Sequence, residues 1–242
     1  QLRAVGVRAA FLNSTCTPAE RSAVEGAAFR GELDLLYIAP EGFFTDRFQQ
    51  LLGDLRISLI AVDEAHCISE WGHEFRPEYR QLRTLHDRFP NVPIVACTAT
   101  ATAPVRADIL QQLGVPGMET IVGSFERENL TLRIERRTDA VAQIAAMLAR
   151  YRDASSIVYA ATRKRVEELS TTLNAKGFRT LPYHAGLDAA TRDAHQRAFA
   201  NDEISCIVAT VAFGMGIDKS NIRAVIHANL PKSVEGYYQE VG

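Results

Sequence analysis

LIAVDEAHCISEWGHEFRPEY, residues 59–79, decides how this chain is read. Leu59, Ile60, Ala61 and Val62 form an apolar run of the kind buried as a strand. Directly after it stand Asp63, Glu64, Ala65 and His66, then a loop with Trp71, His73, Phe75 and Arg76. In an open α/β sheet, ligands gather beyond the carboxyl ends of the strands, where Asp63 and Glu64 would project. A short carboxylate such as Asp63 suits Mg²⁺ carrying nucleotide phosphates. Glu64 beside it could orient or deprotonate an attacking water, and His66 could sense the phosphate. A solvated turn after a strand also contains such acids, so the residues that follow decide between the two readings.

Asp63-Glu64-Ala65-His66 is similar to the Walker B box of superfamily 2 helicases. The contiguous run 67–77, CISEWGHEFRP, resembles the aromatic-rich loop of RecQ-family DNA helicases. Physically, that loop combines an indole, an imidazole, a phenyl ring and a guanidinium, side chains that stack on unpaired bases and pair with phosphate. Its closeness to His66 would couple base contact to the nucleotide site.

The chain has 242 residues, 47% of them hydrophobic, enough for two domains with substantial cores. A formal net charge of −2 carries no global nucleic-acid signature, so DNA contact must come from local features. Cys16, Cys67, Cys97 and Cys206 are scattered, which argues against a zinc knuckle and a disulfide framework. Cys97 and Cys206 sit in apolar runs and are expected in the core. No apolar run approaches a membrane span, and the first residues are not a recognisable signal. A soluble, non-secreted protein is expected: cytoplasmic or nucleoid-associated in a bacterium, nuclear in a eukaryote.

Short apolar runs alternate with amphipathic stretches, the pattern of βα units around parallel sheets. Strands are expected at 35–39, 59–62, 94–97, 156–159, 179–183, 206–209 and 224–227. Helices are expected at 18–30, 77–88, 104–113, 140–151, 163–176 and 188–199. Pro18 and Pro104 fit first turns after Thr17 and Ala103, and Gly177 fits a helix stop. Residues 125–137, FERENLTLRIERR, lack a long apolar face, so the domain boundary is placed near 128, giving 1–128 and 129–242. The resemblance implies an α/β fold of two tandem RecA-like domains with parallel sheets, the first truncated at its N-terminus and the second at its C-terminus.

Thr98-Ala99-Thr100 resembles helicase motif III, whose hydroxyls bond the acidic box; a strand-to-helix turn with a capping Thr reads the same way. Leu36 to Glu41, with Pro40 and Glu41 at the DNA-facing edge, and Asn13-Ser14 look like further family segments. Ile157 to Arg163 resembles motif IV, delivering Arg163 to a helix start. Tyr183 to Leu187 and ATVAFGMGID, residues 209–218, are similar to later motifs. By resemblance Thr210 and His184 lie along the DNA backbone, while Gly214, Gly216 and Asp218 face the nucleotide. From the residues alone, His184 is an ordinary histidine with no acid at a recognised spacing.

Nothing matches G-x-x-x-x-G-K-[ST], the phosphate loop. Tyr237 to Gly242 looks like the opening of motif VI, before its arginines, a group associated with rate effects of about 10³ to 10⁵ in related hydrolases. Glu128 stands where the family usually has Pro, and Ala161 replaces a more usual polar residue. The resemblance thus implies an internal piece of an ATP- and Mg²⁺-dependent 3′ to 5′ DNA helicase of recombination and repair, acting on single-stranded and branched DNA. No zinc site is expected within it, no protein partner is indicated, and the piece alone is expected to hydrolyse ATP inefficiently. The rivals are another superfamily 2 helicase acting on RNA and a nucleic-acid-binding module without catalysis.

Overall fold

The computed structural model describes residues 2–71, 75–124, 127–214, 217 and 219–241, the side chain of Ala4 excepted. It divides into two compact units, Gln1–Ile121 and Val122–Gly242, each an α/β assembly with parallel strands. The division lies somewhat before residue 128, where the sequence places a boundary.

The first unit opens with a 3₁₀ turn, Leu2–Val5, and runs β1 (Ala9–Leu12), α1 (Pro18–Phe29), β2 (Leu35–Ile38), α2 (Pro40–Phe43), α3 (Asp46–Asp54) and β3 (Ile60–Val62). Two 3₁₀ segments, Ala65–Ile68 and Pro77–Thr84, precede α4 (Leu85–Arg88), β4 (Ile94–Ala96) and α5 (Ala103–Leu113). Thr17 closes a capping box on α1, its N–H donating to Glu20 Oε2 at 2.8 Å while its hydroxyl accepts from the Glu20 N–H at 3.3 Å. Helix α5 begins at Ala103 after Thr102, one residue earlier than expected, and ends at Gly114, whose φ of 60° is left-handed. The expected helix over 77–88 is a correction: it is 3₁₀ through Thr84. Buried Tyr79, Leu82 and Leu85 recur every third residue, which matches the three-per-turn 3₁₀ period rather than 3.6.

Strands β1 and β2 pair in parallel, with Phe11 opposite Tyr37, and β3 and β4 pair in parallel, with Ala61 opposite Val95. Among the described residues these are separate two-stranded sheets. One core gathers Val62, Ile68, Tyr79, Leu82, Leu85 and α5; another joins Leu12 to Phe48 and Leu52 of α3.

The second unit runs α6 (Ala140–Arg150), β5 (Ser155–Tyr159), α7 (Arg163–Ala175), β6 (Thr180–Tyr183), α8 (Ala189–Ala200), β7 (Cys206–Ala209), β8 (Ile222–His227) and α9 (Val234–Val241). Its four strands form one parallel sheet in the order β6-β7-β5-β8. Asp139, Thr162 and Asp188 cap α6, α7 and α8 by accepting backbone N–H groups. Past α7, Gly177 takes φ 86°, and the Phe178 N–H returns to the Leu173 carbonyl at 3.1 Å. Val158, Val166, Leu169 and Leu173 fill one side of the sheet, and Ile157, Ile207, Phe199 and Phe213 the other. Covered on both faces, β5 and β7 are buried at every position, as central parallel strands are. No helix among the described residues is long and apolar enough to cross a membrane.

Candidate functional site

The pairing of β3 with β4 continues beyond both strands: the Cys97 N–H donates to the Val62 carbonyl at 2.8 Å and the Ala65 N–H to the Cys97 carbonyl at 2.9 Å. Asp63 and Glu64 therefore stand at the carboxyl end of the pair. Asp63 is exposed, and its Oδ1 accepts the Glu64 N–H at 2.9 Å. Glu64 adopts φ 49°, ψ 43°, a left-handed conformation that costs a residue with a Cβ about 1–2 kcal/mol. This turn swings the chain into the 3₁₀ segment Ala65–Ile68, all of whose residues are buried.

His66 is 1% exposed. Its Nδ1 lies 3.0 Å from Thr98 Oγ1 and 3.3 Å from Glu64 Oε2, so one ring nitrogen faces both the acid and the strand-end hydroxyl of β4. Thr98 Oγ1 also accepts the Thr100 N–H at 3.3 Å, while the buried Thr100 hydroxyl has no hydrogen-bond partner among the described residues. The exposed Asp63 carboxylate fits a hard cation. Among the described residues no group of three or more His, Cys, Asp or Glu side chains could hold a metal. A Mg²⁺ at Asp63 would draw on phosphate oxygens and water as well, its usual arrangement in phosphoryl-transfer sites.

The loop after the box is rooted in it. The Arg76 N–H donates to the Cys67 carbonyl at 3.1 Å, and the fully buried Ser69 accepts the Trp71 N–H at 3.2 Å. Trp71 itself is 79% exposed, so the indole is not a hydrophobic anchor of this unit. Phe75 is half-buried beneath the Arg80 guanidinium, 5.3 Å from its ring centre, and Arg80 pairs with Glu70. Arg76 is exposed. His73 lies outside the described residues.

Elsewhere in this unit, Asn13 turns its side-chain oxygen onto Thr15, accepting from its N–H at 3.0 Å and its hydroxyl at 2.7 Å, beside exposed Ser14. Pro40 does not merely stop β2 but opens α2, with Glu41 exposed. Cys97 corrects an expectation: it is exposed rather than in the core, because it continues the alternation of β4 on the face that shows Val95. Cys206 is buried as expected, and burial pushes its thiol up to about 12.

In the second unit, Arg163 begins α7 and is exposed, and the half-buried Thr210 donates its N–H to the Tyr183 carbonyl at 3.1 Å. His184 is 3% exposed and does have an acid: its Nε2 is 3.1 Å from Glu167 Oε1, and its Nδ1 accepts the Gly186 N–H at 3.2 Å. Sequence reading missed Glu167 because its only linear signal is a charged position on α7. Gly214 has φ 135°, while Gly216 and Asp218 lie outside the described residues.

Two family profiles match the chain, "DEAD/DEAH box helicase" over residues 3–108 and "Helicase conserved C-terminal domain" over residues 139–242. The Lhr helicase of Mycobacterium smegmatis, solved with single-stranded DNA and AMP-PNP, shares the fold at a TM-score of 0.75, with 20% identity over 100% of this chain and 34% of that one. Yeast Dbp5, solved with RNA and ADP BeF3, gives 0.69 with 15% identity over 97% of this chain and 60% of that one. The molecule is thus built as two tandem RecA-like helicase domains of superfamily 2.

The ATP-dependent DNA helicase RecQ of Haemophilus influenzae is 43% identical over all of this chain and 39% of its own length. That of Bacillus subtilis is 41% identical over all of this chain and 41% of its own. The mouse bifunctional 3′-5′ exonuclease/ATP-dependent helicase WRN is 40% identical over all of this chain and 18% of its own. This chain belongs to the RecQ helicase family, and it spans about two-fifths of the length of these bacterial relatives.

Proposed function

We propose that these 242 residues belong to the motor of an ATP-dependent 3′ to 5′ DNA helicase that acts on single-stranded and branched DNA in recombination and repair. One observation carries the reading: a single short segment joins the acidic box, the buried His66 and the exposed Trp71, with Cys67 and Ser69 bonding the loop back to its root. A base stacked on Trp71 pulls on the backbone that holds His66 and Glu64.

In this reading Asp63 binds Mg²⁺, which when present neutralises charge on the phosphates of ATP. The Glu64 carboxylate orients the attacking water and accepts its proton. His66, held between Glu64 and Thr98, reports the state of the site to β4, while Thr100 backs Thr98. Trp71, His73, Phe75 and Arg76 take the DNA, with Asn13, Ser14, Pro40, Glu41, Arg163 and Thr210 along its backbone. His184, both ring nitrogens engaged, shapes the 184–186 turn and sets it along that backbone. Gly214, Gly216 and Asp218 face the nucleotide. Lacking any G-x-x-x-x-G-K-[ST] stretch, the 242-residue polypeptide by itself turns over ATP negligibly.

The test compares ATPase stimulation by single-stranded DNA and by RNA in the full-length protein; a preference for RNA sinks the proposal. Within it, Trp71→Ala removes a stacking platform of about 1–3 kcal/mol, so half-maximal stimulation should need about 5- to 150-fold more DNA. Nucleotide affinity should stay within about twofold, since the indole is exposed and carries no charge for phosphate.

A further inference from the structure

Residues 210–221 carry the chain from the carboxyl end of β7 to the start of β8, passing β5, which lies between those strands in the sheet. Among the described residues this crossover contains no helix. Its first stretch is held by a backbone turn, the Phe213 N–H donating to the Thr210 carbonyl at 3.0 Å, and by side chains. The Phe213 ring is 2% exposed and packs on Tyr183 and Phe199, at 4.7 and 5.7 Å between ring centres. Its carbonyl accepts the Tyr159 hydroxyl at 2.8 Å, a buried hydrogen bond.

Tyr159 ends β5 and is 4% exposed. Its ring stacks on His227 at the end of β8, 5.5 Å between centres and 22° between planes. His227 Nε2 lies 2.6 Å from Glu240 Oε2 of α9, an ion-pair distance, though without the alignment of a hydrogen bond. The tyrosine is thus wedged between the sheet and the crossover. Beside its hydroxyl, a Cβ added to Gly214 would come within 2.8 Å of Tyr159 Oη, and Gly214 has φ 135°, which a side chain rarely tolerates. One oxygen therefore ties residue 213 and occupies the space that a side chain at 214 would need.

We propose that Tyr159 is a positioning residue, whose hydroxyl, through the Phe213 carbonyl, fixes the backbone of Gly214 and so couples a DNA-facing Thr210 to the nucleotide-facing glycine. The coupling rests on the helicase reading above; the tether does not. Burial raises the pKa of the hydroxyl, which keeps it protonated and a donor throughout the neutral range.

The experiment uses Tyr159→Phe in the full-length protein, which deletes one oxygen and keeps the ring. Without nucleotide or DNA, amide exchange over residues 210–214 should speed up about 3- to 10-fold while α7 is unchanged, the loss of one hydrogen bond felt locally. DNA-stimulated kcat should fall by about the same factor, and by more than basal kcat does. In a double-mutant cycle, Gly214→Ala should cost less when combined with Tyr159→Phe than in the parent, because the oxygen it meets is gone. Unchanged exchange at 210–214, exchange raised equally across the unit, or additive effects in the cycle would each overturn the tether. Faster exchange at 210–214 with intact DNA stimulation overturns only the coupling. Absence of DNA-stimulated ATPase in the unmutated protein overturns the helicase reading, and exchange still reads the tether.

Discussion

Strands β3 and β5 look alike in the sequence, each an apolar β-branched run leading to polar residues, yet they hold their sites by different means. Every residue of β5 is buried, because β7 and β8 flank it and side chains cover both faces. β3 pairs only with β4 among the described residues, and Ala61 and Val95, opposite one another, both face outward. The second unit therefore backs the ends of its central strands with packing on both faces. The first, with one partner strand described for β3, ties its acidic box to β4 by polar contacts above its core: the Ala65–Cys97 bond, the left-handed turn at Glu64 and the His66–Thr98 contact. The composition of a strand says that it will be buried; its neighbours decide how far.

The largest test sets two glutamates against each other, because each lies beside a buried histidine, Glu64 at 3.3 Å and Glu167 at 3.1 Å. In the full-length protein Glu64→Gln should lower ATP turnover by about 10² to 10⁴ with nucleotide binding retained, whereas Glu167→Gln should lower it by less than about tenfold. Equal losses in steady-state assays would mean that both pairs do chemistry, and the contrast would fail. Next, Ile207→Ala, at a fully buried position of β7, should destabilise by about 2–5 kcal/mol. Val95→Ala, at a position 43% exposed on β4, should change stability by no more than about 0.5 kcal/mol. Denaturant titration measures both, and a large cost at Val95 would show that the face is covered in the full-length protein. The smallest test asks where the units should agree: Thr17→Ala and Thr162→Ala each remove a hydroxyl accepting a helix N–H and should each cost about 0.5–2 kcal/mol. A cap is local, so unequal costs would show that the sheets reach further than their contacts.

The strands over 35–38, 94–96 and 206–209 and the helices opening at Pro18 and Arg163 are legible because periodicity and capping residues agree there. β1 is not legible because Ala9 and Ala10 are weak strand formers and only Leu12 is deeply buried besides Ala10. α3 is not legible in the sequence although Phe48 and Leu52, one turn apart, bury its inner side, and its exposed Arg47 reaches Glu25 on α1. Cys97 misled because a continuous apolar run does not reveal which face remains open. At the site, the acidic box and the aromatic loop read directly from residue type. Tyr159 and Glu167 did not, since their importance comes from what lies across space: a carbonyl 54 residues on and a histidine 17 residues on.

Glu64 gives the left-handed turn described above an evolutionary edge. Glycine at that position would relieve the torsion, yet on the proposed reading it would leave the site without its base. Selection for stability and selection for turnover thus pull on one codon in opposite directions. A lineage freed from the need to hydrolyse ATP would be expected to drift there first, towards glycine or asparagine, while keeping the strand that leads to it.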